Sequence, residues 1–281
     1  IDRIRWDPGL IRAIGIDGTK LPPLVRSTDV LGPLRPDVAD AIGVPHGIPV
    51  VAGAADLQSA CVGSGAVRDF EGHVYLGTSS WVLCHVPFMK TDPFHAIASL
   101  PSAIPGRYFA ANEQDTAGFC VQWLVRNVVF ARDGLRPEAP PEDVWRRLDE
   151  VVASVPPGSR GVLFTPWMNG EKTPVDDESL RGSISNLSVH TTFPDIARAV
   201  FEGVAFNSRW VLGYVERFTG RRMDALNLIG GGAQSDVWCQ VYADVLGRTV
   251  RQVEHPLAGN ARGAAFLAAA GLGRLRFEDI P

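Results

Sequence analysis

A run of three glycines, Gly230 to Gly232, lies between a short apolar stretch and an amphipathic stretch of the chain. The apolar residues Leu226, Leu228 and Ile229 predict a buried strand, and Ser235 stands where a helix N-cap is expected, with Gly247 as the helix stop. Glycines allow positive φ and carry no Cβ, so a flat ring or a phosphate could lie directly against the main chain. Glycines also serve strand-to-helix connections for tight packing alone, so the turn by itself leaves both interpretations open.

Asp56 follows an apolar stretch in the run GAAD, among small residues. A carboxylate at the mouth of a helix, partly desolvated and free of bulky neighbours, could accept a proton from a bound hydroxyl. Acidic residues also favour the first turn of a helix, where they complement the helix dipole. The local sequence therefore leaves both roles open for Asp56.

The turn Gly77-Thr78-Ser79-Ser80 offers backbone amides and three hydroxyl groups within four residues. That chemistry suits a terminal phosphate, although hairpin tips are rich in the same residue types for conformational reasons. The chain has neither a GxSxG nucleophile elbow nor a GxxxxGK[ST] phosphate loop. Its six histidines and four cysteines show no metal-ligand spacing, so no metal-binding residue is assigned.

Strands and helices that would position these residues alternate along the chain. A hairpin is predicted from Val74–Leu76 and Trp81–Val86, joined by the Gly77–Ser80 turn, and a strand is predicted at Pro49–Ala52, before Asp56. Apolar spacing predicts helices over residues 36–42, 116–129, 141–152, 194–218 and 260–271.

Two further segments are predicted as loops, residues 137–141 and residues 165–182. The second is long, mixed in charge and poor in apolar residues, and long loops of this kind in compact domains are often functional. A short strand, residues 162–164, precedes it. The order of elements, with no fixed-period repeat, predicts an α/β fold rather than a solenoid.

The composition excludes several classes of protein. With 281 residues and 46% hydrophobic content, the chain can bury a sizeable core in one or two domains. The net charge of -4 and the absence of a basic stripe argue against a nucleic-acid binder. No apolar run approaches the roughly 20 residues of a membrane span. The four cysteines lie far apart and are expected to be reduced and buried, which favours a cytoplasmic protein.

Five segments occur in an order that is more informative than any one of them. They read VVAGAADLQSACVGSGAV, VYLGTSSWV, GEKTPVDDESLRGSISNLSVHTTFPDIARAVFEGVAF, IGGGAQSDVWCQVYADVLG and ARGAAFLAA. In this order they closely resemble successive segments of the FGGY family of carbohydrate kinases, over essentially the whole chain. Residues Gly182 to Glu202 are similar to the family's C-terminal signature, with Asn186 where glycine is usual, and asparagine tolerates a left-handed conformation. Among the family's branches, the chain looks most like xylulokinase and its near relatives.

The resemblance implies an α/β fold of the actin, hexokinase and Hsp70 type, which is ribonuclease H-like, with ATP and sugar in a cleft between two domains. By match to the family's motifs, Asp56 is the base that takes the proton from the sugar hydroxyl. A second phosphate loop around the β- and γ-phosphates is matched by Gly77, Thr78 and Ser79. An adenosine loop is matched by Gly231, Gly232, Ala233 and Gln234. Residues 170–176 match a cleft segment.

The implied cofactors are ATP and Mg²⁺, and the implied substrate is a small sugar or polyol. A homodimer, and no nucleic-acid or membrane partner, are further expectations. Residues 1–68 resemble the end of the N-terminal sugar-binding domain, and residues 69–281 resemble the C-terminal ATP-binding domain, short of its last helix. No segment matches the family's first phosphate loop, and the first methionine is Met89. We therefore expect a fragment that is inactive as a kinase by itself.

Two other functional classes fit parts of the sequence. A non-catalytic nucleotide- or partner-binding actin-like module would be favoured if the full-length gene product also lacked the first phosphate loop. A dinucleotide-dependent oxidoreductase is suggested by the strand, glycines and helix around Gly230. The run GGGAQS lacks GxGxxG spacing, however, and no acidic residue follows at the expected strand end.

Overall fold

A computed structural model describes residues 4–131 and 139–280 of the chain. The predicted loop 137–141 therefore lies partly outside the described residues. The α-helices of the described part are α1 (Pro8–Ile14), α2 (Pro36–Ile42), α3 (Asp56–Gly63), α4 (Gly118–Trp123), α5 (Val144–Ala153), α6 (Phe193–Thr219), α7 (Asp236–Leu246) and α8 (Gly259–Gly271).

The β-strands form one large sheet and two small ones. They are β1 (Val30–Pro33), β2 (Pro49–Val51), β3 (Gly72–Leu76), β4 (Ser80–Val86), β5 (Thr91–Asp92), β6 (Ile97–Pro101), β7 (Tyr108–Ala111), β8 (Leu163–Thr165), β9 (Ser183–Ser185), β10 (Ala225–Ile229) and β11 (Thr249–Gln252). The large sheet has the strand order β11-β10-β3-β4-β7-β6-β5, while β1 pairs with β2 and β8 with β9.

The register of β10 against β3 decides where their following turns lie. The two strands are parallel, with Leu226 opposite Gly72 and Ile229 opposite Tyr75. Because parallel strands end at the same edge of a sheet, the turns that follow them emerge side by side. The two glycine-containing turns identified in the sequence are therefore brought together by strand pairing.

Helix α6 covers one face of the large sheet and carries much of the core. Thr192 and Asp195 form a capping box at its start, and Gly220, with φ of 68°, ends it in a left-handed conformation. Its valines Val200, Val204, Val211 and Val215 are at most 1% exposed and belong to the main hydrophobic core. The apolar periodicity that predicted this helix thus corresponds to a packed face.

On the opposite side of the sheet, α3 and α8 approach each other through glycines. A Cβ on Gly63 would lie 1.9 Å from the carbonyl oxygen of Gly259, and a Cβ on Gly263 would lie 1.8 Å from that of Ser59. Real Cβ atoms do not come this close to backbone, so the packing of the two helices requires glycine at both positions. This helix pair carries Asp56, the first residue of α3.

The chain departs from the predicted elements in two regions. The single helix predicted over 116–129 begins at Gly118 and continues as a π-helix over Leu124–Val129. Strands β3 to β7 follow one another without an intervening helix, so the predicted alternation is wrong there. Strand β5 has only two residues, and its antiparallel pairing with the next strand, β6, rather than local propensity, defines it.

Two histidines of the β3–β4 hairpin are buried in neutral form. His73 is fully buried, and neither ring nitrogen has a hydrogen-bond partner among the described residues. Burial lowers the pKa of His73 to about 3 and that of His85 to about 4. The unfolded chain takes up protons below about pH 6.5, whereas the native rings stay neutral, so stability is lost as the pH falls from there. The expected loss is about 1.4 kcal/mol per pH unit for each histidine.

The substitution His73→Leu is expected to remove one of these two contributions. The free energy of unfolding of the variant, measured by urea denaturation, should fall less steeply between about pH 6.5 and about pH 5.5 than that of the unsubstituted chain. It should also be no lower near neutral pH, because an unpartnered polar ring is replaced by an apolar side chain. His190→Leu, at an exposed position, is the control. Equal pH slopes for His73→Leu and the unsubstituted chain would contradict the assignment.

Candidate functional site

A cavity of about 640 Å³ opens at the sheet edge where β3 and β10 end. Both predicted turns line it, together with residues from α4, α5, α6 and α7. The lining residues are Gly77, Thr78, Gly118, Val121, Gln122, Trp145, Arg146, Leu148, Asp149, Phe201, Gly231, Gly232, Gln234, Ser235 and Trp238.

The turn between β3 and β4 is held by its backbone carbonyls, which leaves amides available. Gly77 O accepts from the Gly118 amide at 2.8 Å, and Thr78 O accepts from the amides of Ala117 and Phe119 at 2.8 and 3.1 Å. Among the described residues, the Thr78 and Ser79 amides have no hydrogen-bond acceptor. Thr78 is exposed at the cavity. Free amides beside a hydroxyl are suitable for binding an anion such as a phosphate.

The three glycines after β10 have different roles. Gly230 has φ of 95°, and a Cβ there would lie 2.7 Å from Leu76 O. A Cβ on Gly232 would lie 2.4 Å from the Leu76 side chain. A Cβ on Gly231 would meet no atom within 4 Å. Gly230 and Gly232 are thus required for packing against β3, whereas Gly231 leaves open space on the cavity side.

The remaining walls are largely apolar, with one carboxylate. Phe201 and Trp238 lie with ring centroids 4.6 Å apart, and the Trp238 indole donates to Phe201 O at 3.2 Å. Asp149 on α5 accepts from the Ser235 hydroxyl at 2.8 Å, and burial raises the pKa of its carboxyl. The Ser235 oxygen also accepts from the Trp238 amide at 3.0 Å, which confirms the predicted N-cap. An apolar slot joined to free amides can accommodate a flat ring with an anionic tail.

Three of the predicted site residues do not line the cavity. Ala233 is fully buried beneath the glycine turn, and Ser79 follows Thr78 outside the lining. Asp56 lies at the N-terminus of α3 and is exposed, so the expected partial desolvation is wrong for the described part of the chain. Its Oδ1 accepts from the Leu57 amide at 2.7 Å, and the carboxylate otherwise faces solvent.

Sequence reasoning missed the walls of the cavity contributed by α4 and α5. Gly118 permits the close approach to the first turn, since a Cβ there would lie 2.5 Å from Gly77 O. Gln122, Trp145, Arg146 and Asp149 reach the cavity only because α4 and α5 pack beside α6 and α7. No local signal marks them, because amphipathic helices present similar residues to solvent throughout the chain.

The described residues contain none of three other features: a metal site, a disulfide or a membrane-spanning helix. No group of three or more His, Cys, Asp or Glu side chains in residues 4–131 and 139–280 could hold a metal ion. All four cysteines are free and buried, as predicted. In the same part of the chain, every helix is too short or too polar to span a bilayer.

Comparison with known proteins gives consistent matches. The family model described as the C-terminal domain of the FGGY family of carbohydrate kinases matches residues 72–272, and the corresponding N-terminal domain model matches residues 1–63. A xylulose kinase from Staphylococcus epidermidis is 31% identical over 257 residues, covering 91% of this chain and 49% of that protein. An autoinducer-2 kinase from Enterobacter sp. is 31% identical, covering 95% of this chain and 50% of that protein.

A solved structure also aligns over nearly the whole chain. The ligand-bound xylulose kinase from Lactobacillus acidophilus superimposes with a TM-score of 0.81 at 26% identity, covering 98% of this chain and 54% of that one. The chain therefore spans about half the length of the relatives that it matches.

Proposed function

We propose that this chain, which belongs to the FGGY family of carbohydrate kinases, forms the nucleotide-binding part of an ATP-dependent kinase for a small sugar or polyol. One observation carries the proposal. The two turns at the ends of parallel β3 and β10 line a single cavity, with free amides at Thr78 and open space at Gly231. The domain division predicted at residues 68 and 69 is part of the proposal. The family gives no support to a dinucleotide-dependent oxidoreductase.

Each end of the cavity has a proposed role. The Thr78 and Ser79 amides and the Thr78 hydroxyl would bind the terminal phosphates of ATP. The turn from Gly231 to Gln234 would carry the adenosine, with its flat ring against the backbone and the apolar walls. Phosphoryl transfer depends mainly on such positioning and charge stabilisation.

Asp56 is the proposed base that accepts the proton of the acceptor hydroxyl. Its exposed carboxylate has one short hydrogen bond, to the neighbouring Leu57 amide, and is therefore able to accept a proton from a substrate. The acceptor would bind on the side of α3 that faces solvent in this chain. Relatives named xylulose kinase favour xylulose as the acceptor. Another relative is named autoinducer-2 kinase, so other small hydroxylated substrates are also candidates.

A metal ion, a cellular location and an oligomeric state are also proposed. Mg²⁺ is the proposed metal, but the described residues offer no cluster that would hold it, so no step is assigned to the metal through them. A cytoplasmic location and a homodimer are proposed from the family alone. The kinase activity of a whole protein is a proposal, since the chain spans about half of its relatives.

Gly231→Val tests the nucleotide site directly. Because a Cβ at this position meets no atom within 4 Å, the fold should keep its free energy of unfolding within about 0.5 kcal/mol. The same side chain would occupy the space proposed for adenosine, so the affinity for ATP should fall by about tenfold or more. Both are measurable, by urea denaturation and by isothermal titration calorimetry with ATP.

The control for this variant is Gly213→Val, where a glycine of α6 likewise has no atom within 4 Å of a Cβ but lies outside the cavity lining. It should leave the ATP affinity unchanged. Equal ATP affinity in Gly231→Val and the unsubstituted chain would contradict the adenosine assignment. Absence of any ATP binding by the unsubstituted chain would contradict the proposed function itself.

A further inference from the structure

A buried carboxyl group, Glu171, joins three separate segments of the chain. It lies in the long loop 166–182 and is 2% exposed. Its Oε1 accepts from the amides of Asp115 and Lys172 at 3.1 and 3.0 Å, and its Oε2 accepts from Asn207 Nδ2 at 2.5 Å. The loop, the segment after β7 and helix α6 are therefore tied together at one side chain.

The direction of the hydrogen bond between Asn207 and Glu171 is set by Trp167, whose indole N–H can only donate. The Trp167 indole N–H donates to Asn207 Oδ1 at 2.9 Å, which orients the amide so that its Nδ2 faces Glu171. Both Glu171 oxygens therefore meet donors. This arrangement matches an ionised carboxylate, which only accepts hydrogen bonds, better than a carboxylic acid.

The segment bound by Glu171 is also the segment that supports the turn after β3. Gln114 and Ser80 exchange backbone hydrogen bonds of 3.0 and 2.8 Å, two residues beyond Thr78. After Asp115, the amides of Ala117 and Gly118 donate to the carbonyls of Thr78 and Gly77, both at 2.8 Å. Asp115 lies between these two attachments. By anchoring Asp115, Glu171 thus constrains the Gly77–Thr78 turn through these backbone hydrogen bonds.

We propose that Glu171 is a positioning residue for nucleotide binding: its ionised carboxylate holds residues 114–118 in place, and these hold the Gly77–Thr78 turn in the shape that binds phosphate. The inference rests on the proposed nucleotide site, and it adds a determinant that touches neither the cavity lining nor the nucleotide. Loss of the carboxylate should weaken binding of the phosphates and leave binding of the base unchanged.

The charge state of Glu171 supports a pH-dependent effect. Burial raises the pKa of Glu171 to about 7, against the hydrogen bonds from Asp115 and Asn207, which lower it. The other titratable groups near it are Asp115, Lys172 and the Cys120 thiol, whose own pKa burial raises to about 12. Glu171 is ionised above about pH 7 and protonated below it, so the positioning effect should be present above that pH and lost below it.

The test is Glu171→Gln, with ATP and adenosine as the calorimetric probes at about pH 8 and about pH 6. At about pH 8 the variant should bind ATP about tenfold more weakly than the unsubstituted chain, the effect expected for lost hydrogen bonds to a charged group, and adenosine equally well. At about pH 6 the two proteins should bind ATP within about threefold of each other, since Glu171 in the unsubstituted chain is then largely protonated and neutral, like the glutamine of the variant. The ratio of affinities cancels the titration of ATP itself.

Two further variants separate positioning from damage to the fold. Glu178→Gln removes an exposed carboxylate from the same loop and should leave all affinities unchanged. Trp167→Phe removes the N–H that orients Asn207 while keeping an aromatic ring near Trp210, and it should weaken ATP binding by about threefold without affecting adenosine. Trp167→Phe therefore tests the positioning role even if Glu171→Gln fails to fold.

The outcomes distinguish this inference from the function on which it rests. Equal losses of ATP and adenosine affinity, or a loss that does not change with pH, would overturn the positioning role while leaving the nucleotide site standing. Unchanged ATP affinity in both Glu171→Gln and Trp167→Phe would do the same. No ATP binding by the unsubstituted chain would overturn both the site and this inference.

Discussion

Substitution of Asp56 by alanine is expected to lower turnover by about 10²- to 10⁴-fold in a kinase that contains this chain, the usual contribution of a general base. The physical reason is that the carboxylate at the start of α3 is exposed, forms no ion pair among residues 4–131 and 139–280, and is available to the acceptor hydroxyl. ATP affinity should change little, because Asp56 does not line the nucleotide cavity.

The measurement requires an active protein. A suitable one is a chimera that places the N-terminal half of the Staphylococcus epidermidis xylulose kinase ahead of this chain. Turnover of xylulose by the unsubstituted chimera sets the reference, and this chain alone is expected to give none. Asp37→Ala is the matched control, since Asp37 is an exposed aspartate in the first turn of α2. Full turnover by the Asp56→Ala chimera would remove Asp56 from the mechanism.

Gly263→Ala is expected to destabilise the fold severely, by about 3 kcal/mol or more, which is the upper range for overpacking. The new methyl group would lie 1.8 Å from Ser59 O, and this atom belongs to the backbone of α3, which cannot move aside as a flexible side chain would. Separation of α3 from α8 would also displace Asp56. Urea denaturation followed by circular dichroism measures the loss.

A second glycine-to-alanine substitution provides the opposite expectation. Gly213→Ala lies within helix α6, where a Cβ meets no atom within 4 Å. Alanine has a higher helix propensity than glycine, so this variant should be more stable by about 0.5–1 kcal/mol. If Gly263→Ala proved as stable as the unsubstituted chain, α3 and α8 would be packed less closely than the structure indicates.

Elements with strong local signals were predicted closely. Predicted over 194–218, α6 spans Phe193–Thr219; the helix predicted over 36–42 matches α2; and the strand before the glycine turn matches β10 to within one residue. Asn186 has φ of 63°, the left-handed conformation expected at that position. Caps, apolar periodicity and conformational preferences act within a few residues, and for that reason they can be detected in one sequence.

Elements that depend on pairing and packing rather than on local propensity were predicted poorly. The π-helical continuation of α4 and the short antiparallel strands β5 to β7, which pair with one another, have no clear local signature. The walls contributed by Trp145 and Asp149, and the burial of Glu171 in a loop of mixed charge, were not predicted either. Each depends on which segments pack together, and that is decided by burial over the whole core.

The sequence by itself determined the family and the α/β fold, because motifs and periodicities depend on residues that are close together in the chain. The family is confirmed by the comparisons. The sequence also identified the Gly77–Thr78 and Gly230–Gly232 turns as candidates. Only the tertiary structure decided that they lie together, because the parallel register of β10 and β3 places both turns on one cavity. It further divided the glycines, with Gly230 and Gly232 needed for contact with Leu76 and Gly231 left free, since this distinction depends on what lies opposite each Cβ.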